Sequence, residues 1–469
     1  METFYLFFVS KVSVLTFAAT IIKNTMKNLL LSAALAVFTF SGQAQTLSLE
    51  EALNLATNSS HQIKGKEFNQ KHLAAKTAET DASRRPSLKY TGSYNRLSYV
   101  TPSKFSLPVG TDASGNPIVR EFALNPYIPN QFTNRLMLSQ PIFVGGRLKL
   151  GLEASKLNEK IAQQEYDRSK ADVILSTKTA FWNLYKAQQF QKLVTESVNQ
   201  MQAHLTDVQN LLKMGVVTQN DLLRSQLQLS NARMQQIEAN NAVQLATAAL
   251  NQLLGNSLDK NITLNASPRQ QVISLEPVNT LTEKALQNRP EVKVAELQEK
   301  TGEIGVKSAK AGWLPQVSAA AVADYNNPNQ RIIPAQDKFH ATWAVGLNVS
   351  MDIWNWNTTK HQTEQARMMQ MQAKEGLSLT KEMISLEITQ LYLSAAQAQE
   401  KIKLASETVE QAKENHRIVT ERYKKGAALN SDVIDANTAW LSSNINLTAS
   451  QVEYELVVAK LEKAVGQAF

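Results

Sequence analysis

Between Ala341 and Ile353 the side chains alternate: Ala341, Trp343, Val345, Leu347, Val349, Met351 and Ile353 share one side, and Thr342, Ala344, Gly346, Asn348, Ser350 and Asp352 the other. Period-two alternation predicts a strand with one apolar face and one small or polar face. A partner strand is predicted over 315–325, and a second pair over 87–99 and 134–143. About ten such residues suffice to cross a bilayer as a tilted strand, and Trp343 and Trp354 sit near the two ends, where interfacial aromatics belong. The segments inside each pair, Val100 to Phe132 and Asn326 to His340, are rich in Pro, Asn, Gly and Ser and read as outward loops.

Elsewhere the period changes. Phe190, Val194, Val198, Met201, Leu205, Val208 and Leu212 step by four and three, as do Ala405, Val409, Ala412, His416, Val419 and Tyr423. Such spacing predicts helices paired as coiled coils rather than wrapped around a globular core. The 72 residues between Ile142 and Gly215 contain no proline, room for roughly 100 Å of helix. Helical pattern resumes after Gly215 and Gly426, giving hairpins over 147–255 and 358–466 with those glycines at their tips.

The chain matches itself at an offset of 211 residues without a gap, from Ile142 with Ile353 to Gly255 with Gly466. Farther upstream, Ala56 to Lys64 matches Ala285 to Lys293. A period this long is not a solenoid's. It reads as two similar halves, 45–256 and 277–469, joined by a linker over 257–276.

Four strands cannot close a membrane barrel, and an open sheet edge in lipid leaves backbone groups unpaired. Three copies would supply twelve strands. The alternative is a secreted or periplasmic coiled-coil structural or adhesive protein, whose strands form a small soluble sheet.

Composition narrows the compartment. The chain has 469 residues and no cysteine, which excludes disulfides, thiolate nucleophiles and Cys metal sites. Met26-Lys27-Asn28, the apolar run Leu29 to Phe40, and Ser41-Gly42-Gln43-Ala44 have the form of a secretory signal cleaved after Ala44, with Met26 as the expected start. Removing residues 1–44 leaves 46 Lys and Arg against 40 Asp and Glu, a net of +6 scattered without a basic run. That is a solvated surface rather than a nucleic-acid site.

No enzyme chemistry is legible. His61, His72, His204, His340, His361 and His416 share no ligand spacing, so no metal or other cofactor is expected. There is no nucleophile elbow, phosphate-cradling loop or dinucleotide fingerprint.

Certain local sequences carry a resemblance. They are Gln140-Pro141-Ile142-Phe143-Val144-Gly145-Gly146-Arg147, the swings at Arg85-Pro86 and Leu314-Pro315, and the turn Arg422 to Asp435. In these and in its order of elements the chain resembles the TolC family of outer-membrane efflux proteins. The resemblance implies a mixed α and β fold. In that fold a homotrimer closes a twelve-stranded transmembrane barrel, four strands per chain, continuous with a long α-helical barrel in the periplasm. It implies a passive exit duct in outer-membrane lipid, served by an inner-membrane pump of RND, ABC or MFS type and a periplasmic adaptor. Asp432 and Asp435 match positions where members place acidic rings across the entrance, although acidic residues also cap helix N-termini. Tyr423 and Asp221 match contacts that keep the mouth closed. Gly215 and Gly426 match tips touched by the adaptor. Where some members place an arginine, this chain has Ala428. Tyr423 stands opposite Leu212, and Asp435 opposite Arg224, which marks the second hairpin as the gate.

Overall fold

The structure, a computed structural model, describes residues 46–101, 103–123, 126–269 and 274–466. The expected leader over 1–44 and its start at Met26 lie outside the described residues, as do 270–273 of the linker and the last three positions of the second half.

Sequence punctuation sets the element boundaries. After β1 (Thr46–Leu47), Ser48 and Glu51 bond reciprocally, each side chain accepting from the other's backbone N–H, and open α1 (Leu49–Ser59). Ser60 accepts from the Ile63 amide and opens α2 (His61–Ala82). Then follow β2 (Ser87–Arg96), β3 (Lys104–Thr111), β4 (Pro117–Ala123), β5 (Asn130–Val144), α3 (Arg147–Lys213) and α4 (Gln219–Leu254). A short β6 (Thr263–Leu264) pairs in parallel with β1. The second series is α5 (Val278–Asn288), α6 (Pro290–Lys310), β7 (Gln316–Asn326), β8 (His340–Ser350), α7 (Thr358–Lys424) and α8 (Asn430–Val465). Pro290 occupies the first turn of α6, where a missing N–H costs nothing. α3 and α7 are each 67 residues long, and α4 and α8 each 36.

The chain divides into two compact units. One contains Thr177–Arg269, Glu407–Val452 and the described residues up to Asn58; the other contains Ser59–Ser176, Gln270–Ser406 and the chain from Glu453 onward. The first holds both hairpin tips. The apolar stripe of α3 is buried or half-buried there, with Val194, Met201, Leu205 and Val208 buried. The second holds the sheet. Its helical part packs Leu281, Ala285 and Val292 against Ile384, Ile388 and Leu461.

The sheet is antiparallel with order β2-β5-β7-β8, so β2 and β8 are its edges. Two expectations are corrected. The segment Val100 to Phe132, expected to be a loop, contains the β3–β4 hairpin and the start of β5. The strand expected over 341–353 ends at Ser350, because the backbone leaves the ladder there and bends at Ile353 although residue types keep alternating.

Candidate functional site

Register sorts the sheet into two faces, since residues directly opposite on neighbouring strands point the same way. One face carries the row Leu88, Leu138, Ala321, Val345 and the row Tyr90, Leu136, Ala323, Trp343. The other carries Thr91, Arg135, Asp324 and Thr342 in a single row. On that polar face Arg135 Nε donates to Asp324 Oδ1 at 2.8 Å, and Nη2 to Oδ2 at 3.3 Å. The apolar face is bare: Trp343 is 74% exposed and Leu347 71%. A sheet with an uncovered apolar side and a charged, hydrogen-bonded side suits lipid outside and water inside.

The strands meet the long helices through left-handed turns. Gly145 and Gly146 have φ of +65° and +81° before α3, and Trp356 and Asn357 have +51° and +62° before α7. At Gly145 any Cβ would lie 2.8 Å from the Ala311 carbonyl oxygen, so glycine is required twice over. Pro141 sits at an irregularity in the β5–β7 register, the kind of place where a strand tolerates proline. Trp354 lies past the end of β8 and meets Trp356 edge-on, with ring centroids 5.6 Å apart. Trp356 itself is 83% exposed.

At the tips, Gly215 (φ +75°) and Gly426 (φ +71°) each end a helix. Val216 N–H donates to Leu211 O at 3.0 Å, and Ala427 N–H to Arg422 O at 2.8 Å. No atom of the described residues lies within 4 Å of where a Cβ would stand at either glycine. Thr218 and Asp221 then form a capping box that starts α4, with Thr218 N–H donating to Asp221 Oδ2 at 2.9 Å. The Thr218 hydroxyl and amide hold the Asp221 carboxyl below the ordinary aspartate range. Asp432 plays a similar part at α8, accepting from Leu429 N–H at 3.0 Å. Asp432 and Asp435 are both exposed.

Tyr423 is buried with Val208 and Val433. Its hydroxyl has no hydrogen-bond partner among the described residues. Burial, and then the charges of Asp221 and Asp207, push that phenol up. Within one copy, then, Tyr423 and Asp221 are near in charge but not bonded.

Beside Tyr423 the structure places groups that sequence pattern did not mark. His204 Nε2 lies 2.6 Å from Asn430 Oδ1, and Asn430 Nδ2 donates to Asp221 O at 3.0 Å. Ser225 Oγ lies 3.2 Å from the same Asn430 oxygen. The Arg135–Asp324 pair and the strained Trp356 are further additions; an offset of 211 from Gly145 lands on Trp356, the one sequence signal that points to it.

The comparisons with known proteins agree with this geometry. The family model described as outer membrane efflux protein matches residues 52–256 and 281–467. The outer membrane protein TolC of Vibrio cholerae is 19% identical over 318 residues, 68% of this chain and 73% of that one. The proteases secretion protein PrtF of Dickeya chrysanthemi is 22% identical over 428 residues, 90% of this chain and 88% of its own. The crystal structure of the CmeC outer membrane channel of Campylobacter jejuni superposes with a TM-score of 0.71 at 20% identity, covering 89% of this chain and 85% of that chain. With its model spanning most of the sequence, the chain belongs to the outer membrane efflux protein family.

Proposed function

We propose that three copies of the chain form an exit duct, each lending four strands to a twelve-stranded barrel in the outer membrane and two helical hairpins to a periplasmic tunnel. The observation that carries this is the two-faced sheet with open edges at β2 and β8. Those edges would lie in hydrocarbon, where every backbone N–H and C=O needs a partner. Closure by neighbouring copies supplies it. The apolar rows ending at Trp343 and at Val345 then face lipid, and the row through Arg135 and Asp324 faces the lumen. Trp354 and Trp356 mark the periplasmic interface of the outer membrane.

The duct is passive in this reading. An inner-membrane pump supplies the energy, and a periplasmic adaptor docks at the open backbone of Gly215 and Gly426. The halves matched at an offset of 211 are read as a duplication, whose equal hairpins make equal staves. Asp435 and Asp432 would ring the mouth and favour cations.

The secreted structural alternative is disfavoured by the bare apolar sheet face, because a soluble sheet buries that side. The test is fractionation and electrophoresis of the full chain. The duct predicts outer-membrane residence, a trimer that collapses only on heating in detergent, and discrete conductance steps in planar bilayers. A monomer free of the outer membrane would refute it.

A further inference from the structure

The first residue of α8, Asn430, is held from two other helices. Its Oδ1 faces His204 Nε2 of α3 at 2.6 Å, and its Nδ2 donates to the Asp221 carbonyl of α4 at 3.0 Å; Ser225 Oγ of α4 lies 3.2 Å from the same Oδ1 and shares its proton with the Asp221 carbonyl at 2.9 Å. His204, Asn430 and Ser225 are only 7%, 4% and 2% exposed, so water cannot easily replace these bonds. Because Nδ2 is committed to a carbonyl, the oxygen is the atom turned to His204, and His204 must donate from Nε2. We propose that His204, Asn430 and Ser225 form a latch that ties the start of the second returning helix to the first hairpin, and that acidification of the periplasm opens it. As a gate, the latch rests on the duct reading above.

The charges around the ring support the direction. On its own helix His204 has Asp207, which favours a proton there. From α7 it meets Tyr423, with ring centroids 5.0 Å apart, and its charge reaches His416 on the same helix. On α4 the Asp221 carboxylate is engaged by Thr218, and on α8 the Asp432 carboxylate is engaged by Leu429 N–H. Burial outweighs the Asn430 hydrogen bond and the Asp207 charge, so His204 titrates below an ordinary histidine. His416, stacked on Trp440 at 6.0 Å, is lowered for the same reason and by His204 itself. The sign follows. Opening exposes both rings and restores their ordinary affinity for protons, so the open form binds more protons than the closed one. The closed form is therefore favoured at neutral pH and loses ground as the pH falls through and below the ordinary histidine range.

The chain has no cysteine, so a pair introduced as Gln219→Cys and Leu429→Cys labels the two tips uniquely within each copy. Spin-label distances in the full chain, reconstituted in vesicles, are compared at pH 7.5 and 5.5. The labels should separate on acidification, the open fraction rising by up to about tenfold per pH unit for each histidine involved. His204→Gln, which keeps a donor but cannot be charged in this range, should abolish most of the response, and Asn430→Leu should leave the tips apart at both values. No separation in the native chain, or a full response in His204→Gln, would overturn the latch. Currents recorded alongside separate the two readings: label movement without conductance keeps the latch and removes the duct.

Discussion

Arg135 on β5 and Asp324 on β7 meet as a bidentate pair across the polar face of the sheet, at 2.8 and 3.3 Å. The Asp324 side chain is 13% exposed and that of Arg135 49%, so removing the arginine leaves the less hydrated partner alone. Arg135→Leu should cost about 1 to 2 kcal/mol of sheet stability, read as a lower temperature for trimer collapse. Asp324→Leu should also shift single-channel selectivity toward anions, since it leaves an uncompensated guanidinium in the lumen.

The two carboxylates of the second tip separate a ring from a cap. Asp432 accepts from the Leu429 amide, so Asp432→Ala should destabilise the start of α8 by about 1 kcal/mol in thermal unfolding. Asp435→Ala should leave unfolding unchanged but weaken cation preference and block by multivalent cations in planar bilayers. Unaltered selectivity in both variants refutes a ring.

Asp221 predicts an acid limit at the other tip. The Thr218 hydroxyl and amide hold its carboxyl low, so the capping box contributes fully above the ordinary aspartate range and is lost as the pH falls through and below it. Thr218→Ala should erase that part of the pH dependence in hydrogen exchange of the first α4 amides.

Tyr423 carries a buried hydroxyl without a partner among the described residues. Tyr423→Phe should therefore keep or raise the stability of the isolated tip by up to about 1 kcal/mol. In the assembled duct the same variant should leave leak conductance unchanged, because the hydroxyl is buried within its own copy and out of a neighbour's reach.

The junctions make opposite forecasts for the two halves. Gly145→Ala places a Cβ 2.8 Å from the Ala311 carbonyl oxygen at positive φ, and should cost at least about 2 kcal/mol in detergent melting. Trp356→Gly relieves a left-handed tryptophan and should stabilise by about 1 kcal/mol in the same assay.

Period and punctuation made the long helices legible, because nothing between Gly151 and Gly215 interrupts the stripe through Val194 and Val208. The alternation of β8 was legible too, but its end was not: Met351 and Ile353 continue the pattern of types while the backbone has already left the sheet. The β3–β4 hairpin stayed hidden because Pro108 and Gly110 punctuate one strand, and Pro117 opens the other amid loop-forming residues. His204 and Asn430 are 226 positions apart, and no local pattern connects a helix-face histidine to an asparagine at the start of another helix. Trp356 occupies a backbone conformation that its residue type argues against, and its place 211 positions after Gly145 is the sequence hint of it.

The open edges of the sheet also have a genetic consequence. In the proposed barrel every β2 must meet a β8 from another copy, so one chain with a damaged edge spoils the ring it joins. If native and edge-defective chains are made in equal amounts and mix freely, only about one ring in eight is wholly native. A Pro placed in the middle of β8, harmless to a monomer's helices, should then behave as a dominant lesion in cells that still carry an intact copy of the gene.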